Sequence, residues 1–350
     1  MKRHLITSVL ATIALTVTGC ASSGGAASNP LTQPATTSSS AGSTPPSTQV
    51  SVYTSQPNSD ISAMVSAFNK KYPDIKVDVF RSGTEEVVSK IEAEAKAGAA
   101  NADVAFIADA LTMEKLKSVN LLQKYSSPDA KGIDAKYMDP QGFYQGTKVI
   151  ATGIAINTDK VKTDPTTWKA LTDPAVKGQA VMPSPLYSGA AAYNVALFAD
   201  NPALGWSYWN DLAANGMRVL KGNGGVLTEV ANGTASYGMV VEFIVARAAA
   251  KGSPVKFIYP SDGVPVITEP IAIMKDAKHA DAAKKFVDFV FSADGQDVGS
   301  KLGYVPVKPG VPVPNGLKGV DQLNVMAADV AKLSAQIDNA KAQFKTTFKQ

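Results

Sequence analysis

The sequence predicts an α/β fold: two α/β lobes with mostly parallel sheets, joined by a two-strand hinge, with a ligand cleft between them. Three observations lead there. Short β-rich runs alternate with amphipathic helical runs from about residue 50. The same alternation resumes between about residues 180 and 260. Two long apolar segments about a hundred residues apart, 149–158 and 264–274, read as crossings between the two blocks.

In the first block "VSVYTS" reads as a strand. "SDISAMVSAFNKKY" reads as a helix with Ile61, Met64, Val65, Phe68 and Tyr72 on one face. "IKVDVF" alternates Ile75, Val77 and Val79, as a half-buried strand does. "SGTEEVVSKIEAEAKAG" is the next helix, its Ser82 and Glu85 spaced as a capping box. "ADVAFI" and "ALTMEKLKSVN" add a third strand and helix. Strands joined by helices form parallel pairs with right-handed crossovers.

In the second block "GQAVMP" is a strand leading into "SPLYSGAAAYNV", which has the composition of a helix start. "MRVLKGNGGVLTEVANG" reads as a strand, a glycine turn at Gly222 to Gly225, and a short helix. "ASYGMVVEFIVARAAAKG" is a strand ending near Glu242 and a further helix, and "VKFIYP" another strand. Trp206 and Trp209 read as helix packing. So does the stripe Leu323, Met326, Val330, Leu333, Ile337, Ala340 and Phe344, at spacings of three and four. The expected boundaries are 50–152 plus 268–350 for lobe 1 and 153–267 for lobe 2, hinged so that they close on a ligand.

The beginning of the chain indicates a compartment. Lys2 and Arg3, an apolar stretch from Leu5 to Val17 and the small residues before Cys20 make residues 1–19 a signal peptide. The apolar stretch is too short for a stable membrane span. Val17-Thr18-Gly19-Cys20 resembles a bacterial lipobox, which implies a diacylglycerol on Cys20 and an extracytoplasmic protein anchored to the cell membrane. Cys20 is the only cysteine, so no intrachain disulfide can form. Residues 21–49 carry no Asp, Glu, Lys or Arg, and 20–49 read as a flexible tether spanning roughly 30 Å. The chain's formal charge is +4; without Lys2 and Arg3 it is +4 − 2 = +2. No basic block stands out, which disfavours nucleic acid as a partner, and a monomer is expected.

Five segments together resemble a bacterial ABC-transporter solute-binding protein: "VYTSQPNSDISAMVSAFNKKYPDIKV", "ADVAFIADALTMEKLKSVNLLQKY", "TGIAINTDKV", "WKALTDPAVKGQAVMPSP" and "FVDFVFSADGQDVGSKLGYVPV". The resemblance runs from about residue 50 to 307 and looks closest to the branch that binds ferric iron, phosphonates or phosphate esters. It implies an ABC-transporter permease as partner, no enzymatic activity and no cofactor. Iron-binding members use adjacent tyrosines after the strand written here as "SYGMVVEF". The matching positions are about Phe243 and Ile244, and no Tyr-Tyr pair occurs in the chain. No metal ligands are therefore assigned, and ferric iron stands as the alternative ligand.

In open α/β sheets ligands bind beyond the carboxyl ends of the strands. Those ends supply Thr54, Ser55 and Gln56, then Arg81, Ser82, Gly83 and Thr84, then Asp109. The second block adds Ser184, Tyr187, Ser188 and Gly189, then Asn223, Gly224 and Gly225, and Glu242. Free N–H groups at helix starts suit an anion, and Arg81 suits a phosphoryl group. Glu242 or Asp109 beside such a seat would pair with an amine. The expected ligand is thus a small anion or zwitterion, such as 2-aminoethylphosphonate. A secreted hydrolase is the rival class, but no G-x-S-x-G elbow and no H-E-x-x-H motif occurs.

Overall fold

The computed structural model describes residues 48–350; the expected signal peptide, Cys20 and most of the expected tether fall outside the described residues. The chain begins with β1 (Gln49–Thr54), α1 (Asn58–Lys71), β2 (Lys76–Arg81), α2 (Thr84–Lys96), β3 (Val104–Phe106), α3 (Ala110–Ser118) and β4 (Leu122–Gln123). A long strand, β5 (Gln145–Asn157), leads to β6 (Ala180–Pro183), α4 (Gly189–Asp200), α5 (Gly205–Ala214), β7 (Arg218–Leu220) and α6 (Asn223–Ala231). Then come β8 (Tyr237–Val241), α7 (Glu242–Ala250), β9 (Val255–Ile258) and β10 (Val266–Met274). The chain finishes with α8 (Ala280–Phe291), α9 (Ala293–Lys301), β11 (Val305–Pro306) and α10 (Val330–Phe348).

The strands order as β2-β1-β3-β10-β5-β8-β6-β7. The expected parallel pairs are there, β1 with β2 and β3, and β6 with β7 and β8. They occupy the two outer parts of the sheet. The two crossing strands run antiparallel to each other and to their neighbours, so the sheet is mixed rather than mostly parallel. β5 joins the halves as one strand. It pairs with β10 as far as Ala151 and with β8 from Thr152 onward. In β10 the register shifts between Thr268 and Pro270, a bulge that leaves Glu269 out of the ladder. Gly153 is required where β5 changes partners, since a Cβ there would lie 2.5 Å from the Phe257 ring.

The first half has a core of its own, and the core of the second half also takes in Leu111 and Tyr304 of the first. Ile61, Met64 and Phe68 of α1 pack with Phe286 and Phe289 of α8 under β1 and β3. In the second half Trp209 stacks on Phe198 with ring centroids 5.6 Å apart, and both are buried. Four members of the C-terminal stripe, Leu333, Ile337, Ala340 and Phe344, are the buried face of α10. That face packs on α4 and α5 of the second half and on α3 of the first. Leu323 and Met326 precede the helix, because the chain between them and Asp329 is extended.

Two local expectations are corrected. The helix α2 starts one residue later than a Ser82 cap requires: its N-cap is Gly83, with no side-chain cap, and the Ser82 hydroxyl donates to Glu86 instead. The segment from Gly222 to Gly225 is not a free turn. Gly222 is the N-cap of α6, and Asn223, Gly224 and Gly225 form its first turn.

Candidate functional site

A cavity of about 480 Å³ opens between the two halves, a size suited to a small molecule. Five helix N-caps line it: Pro57 of α1, Gly83 of α2, Ser188 of α4, Gly222 of α6 and Val241 of α7. Four of the five have no side chain capping the helix. Pro, Gly and Val cannot satisfy the first-turn N–H groups. Only Ser188 does, accepting from Ala191 N at 3.4 Å. The Ser188 hydroxyl also accepts from Asn223 Nδ2 at 3.2 Å, while Asn223 Oδ1 accepts from Val241 N at 3.4 Å. One side chain thus fixes three helix starts of the second half.

Arg81 projects from the end of β2. Its Nε donates to Gln56 O at 2.7 Å, its Nη2 to Ser55 O at 3.4 Å and its Nη1 to the Tyr187 hydroxyl at 3.5 Å. None of these partners is a carboxylate, and a guanidinium has five N–H donors, so charge and donors remain for a ligand. Tyr187 lies between the halves. A Cβ on Gly83 would sit 2.5 Å from its ring, and Lys221 Nζ is 4.5 Å from the ring centroid.

The far wall carries two ion pairs, in which the buried Arg247 Nε and Glu269 Oε2 make no hydrogen bond. Arg247 of α7 reaches Asp60 of α1 through both terminal nitrogens, at 3.1 and 2.8 Å. Tyr304 donates to the same carboxylate at 2.6 Å. Lys148 Nζ lies 2.6 Å from Glu269 Oε2 and 4.0 Å from the centroid of the Tyr304 ring. Ile150, Phe243, Ile244 and Ile267 make the rest of that wall apolar.

Of the residues expected from the sequence, Ser55, Gln56, Arg81, Gly83, Thr84, Tyr187, Ser188, Asn223, Gly224 and Gly225 line the cavity. Six do not. Thr54 is buried and accepts from Gln56 N at 3.1 Å. Ser82 serves Glu86. Ser184 shapes the turn before α4, accepting from Leu186 N at 3.2 Å. Gly189 is where the halves meet, since a Cβ there would run into the Asp109 carboxylate and Thr84. Asp109 caps α3, accepting from Thr112 N at 2.8 Å and Thr112 Oγ1 at 3.0 Å. Glu242 turns away from the cleft, accepting from Ala151 N at 3.1 Å and the Tyr259 hydroxyl at 2.6 Å. Sequence reading missed Lys221, Arg247, Glu269 and Tyr304. The only signal for Glu269 was its place in the second crossing; the others carried none.

Burial pushes the carboxyls of Asp109 and Glu242 up to about 7 each, against the pull of their hydrogen bonds. A folded-state value above the unfolded one means that the native state binds the proton more tightly. Stability from these groups is therefore fullest below about pH 4 and is lost as pH rises toward 7. Melting temperature should decline over that window through their contribution, and Glu242→Gln should flatten the decline, with Asp109 sustaining the remainder. An equal slope in wild type and variant, read by calorimetry, would contradict this account.

The family model for bacterial extracellular solute-binding proteins matches residues 63–320. The chain belongs to this family. This solute-binding protein is 27% identical over 263 residues to an uncharacterized protein of Haemophilus influenzae, covering 72% of this chain and 75% of that one. It is 28% identical over 252 residues to the putrescine/cadaverine-binding protein of Pseudomonas aeruginosa, covering 63% and 68% of the two chains. Its fold is that of the periplasmic binding protein AfuA from Actinobacillus pleuropneumoniae, solved with fructose-6-phosphate bound. There the TM-score is 0.80 at 25% identity, over 86% of this chain and 98% of that one. Among the described residues of the solute-binding protein, no helix is long and apolar enough to cross a membrane.

Proposed function

We propose that this solute-binding protein captures a small organophosphate or phosphonate for an ABC importer, in the cleft between two lobes that close on it. The observation that carries the reading is the convergence of uncapped helix N-termini on a cavity that also holds Arg81 with no carboxylate partner. Each N-terminus offers N–H groups and roughly half a positive charge. The bound fructose-6-phosphate of AfuA supports a phosphoryl ligand for the same fold. Isothermal titration should give saturable binding of phosphate esters or phosphonates, weakened by salt, and weaker binding of ferric citrate. Tight ferric binding with a charge-transfer colour would replace the reading with iron. Against iron, both cleft tyrosines are engaged: Tyr187 with Arg81 and Tyr304 with Asp60.

Closure brings Tyr187 against Gly83. Overpacking costs about 1–3 kcal/mol, and the molecule can relieve it by opening. Gly83→Ala should therefore weaken ligand binding by about tenfold while leaving the melting temperature of the free protein nearly unchanged. In a Tyr187→Ala background the same substitution should have little effect. A full tenfold loss there would rule out the ring contact as the cause.

The resemblance of residues 17–20 to a lipobox supports a lipid anchor on Cys20. Membrane fractionation should find the wild type with membranes, and Cys20→Ser released or unprocessed. Equal soluble recovery of both would end the proposal of a lipid on Cys20.

A further inference from the structure

Resting on the organophosphate reading, we infer that the part of the ligand beyond the phosphoryl group is uncharged. Arg81, Lys221, Arg247 and Glu269 are the charged residues of the cavity's lining. Arg247 is closed by Asp60, which is fully buried and held on two nitrogens. Glu269 is closed by Lys148 at 2.6 Å, both side chains being more than nine-tenths buried. Each of those pairs is neutral as a unit. What remains is Arg81 and Lys221, the latter 3.5 Å from an exposed Glu86. The net positive charge therefore sits at one end of the cleft, with the starts of α2, α4 and α6. The other end presents two internally neutralised pairs and the apolar side chains of Ile150, Phe243, Ile244 and Ile267.

A ligand ammonium there would find no carboxylate that lacks a balancing protein cation. Glu242 and Asp109 are both spent on protein donors outside the lining. Taking Glu269 from Lys148 would strand a buried cation, which costs more than a new pair returns. A second anion would find Arg247 already neutralised by Asp60, with only Nε lacking a partner. A hydroxylated or alkyl group makes no such demand, and the volume of the cleft leaves room for one beside the phosphoryl group. The selected class is a phosphate ester or phosphonate with a neutral remainder, and zwitterions such as 2-aminoethylphosphonate are disfavoured.

The test is calorimetry on the purified chain with four probes: glycerol 3-phosphate, fructose 6-phosphate, 2-aminoethylphosphonate and phosphonoacetate. At least one of the two neutral-tailed probes should bind tenfold or more tighter than either the aminated or the doubly anionic one. Equal or tighter binding of 2-aminoethylphosphonate or phosphonoacetate overturns the inference and leaves the organophosphate reading in place. Absence of binding by all four removes that reading and the inference together. Lys148→Met supplies an independent arm, because it leaves the Glu269 carboxylate without its partner. Its ratio of affinities should move toward the aminated probe by about tenfold, and an unchanged ratio in a folded variant overturns the role given to the pair.

Discussion

Arg81→Met should lower the affinity for phosphoryl ligands by about 10- to 100-fold. Hydrogen bonds to charged groups contribute about 1.5–3 kcal/mol each, and about 1.4 kcal/mol is tenfold in affinity. Three of the five donors already hold Gln56 O, Ser55 O and the Tyr187 hydroxyl, so the fork is fixed before the ligand arrives. The same tethers mean that the free variant loses a little stability, since two backbone carbonyls lose a donor. Arg81→Lys separates charge from geometry. It keeps the cation but loses the planar fork, so its affinity should lie between those of wild type and Met. The residual binding of Arg81→Met should also depend less on ionic strength. Wild-type affinity in the Met variant, measured by titration calorimetry, would remove Arg81 from the seat.

The second large effect is on stability. Asp60→Asn should destabilise the protein by about 3 kcal/mol, the scale for breaking a buried pair and leaving one charge behind. Asp60 is completely buried and receives Arg247, Tyr304 and Ser59. An amide keeps one acceptor oxygen and presents N–H groups where the second oxygen took a donor. The Arg247 guanidinium, held over Phe243 and Tyr304 at 4.7 and 5.0 Å, would remain with little to balance it. Adding Arg247→Met to Asp60→Asn should therefore restore part of the loss, a coupling readable in a double-mutant cycle. Because α1 and α7 belong to different halves, ligand dissociation should also quicken in Asp60→Asn. A melting temperature within a degree of wild type would contradict the pair's structural role.

Periodicity carried most of the fold. The strands β1, β2 and β3 and the helices α1, α2 and α3 stand where alternation and helical spacing put them, although Val79 of β2 is exposed and β3 is buried throughout. The antiparallel centre was not legible, since nothing in the residues of β5 or β10 says which neighbour each will pair with. The positively charged end of the cleft was largely legible, because ligand-facing turns follow strand ends in this architecture. The far wall was not. Asp60, Lys148, Arg247, Glu269 and Tyr304 come from five separated segments, and each alone reads as an ordinary surface or core residue. Glu242 shows the converse: a strand-end acid on a helix start suggests a site, yet its carboxylate is taken by Ala151 N and the Tyr259 hydroxyl. The Ser82 expectation missed by one residue, and with glycine as cap no side chain takes the first-turn N–H groups of α2, although Glu85 N reaches the Tyr187 carbonyl at 3.5 Å.

The placement of α10 bears on when the protein can fold. Its Leu333, Ile337, Ala340 and Phe344 complete a core that also contains Leu111, Phe198, Leu212 and Trp209. Those partners precede it in sequence by more than a hundred residues. During vectorial synthesis they would leave the ribosome with their apolar covering still unmade, and long-range contacts of this kind form late and slowly. That core therefore waits until α10 has been made. Delay of that sort makes this core the last to consolidate, and its apolar faces the part of the molecule most open to misassociation until α10 docks.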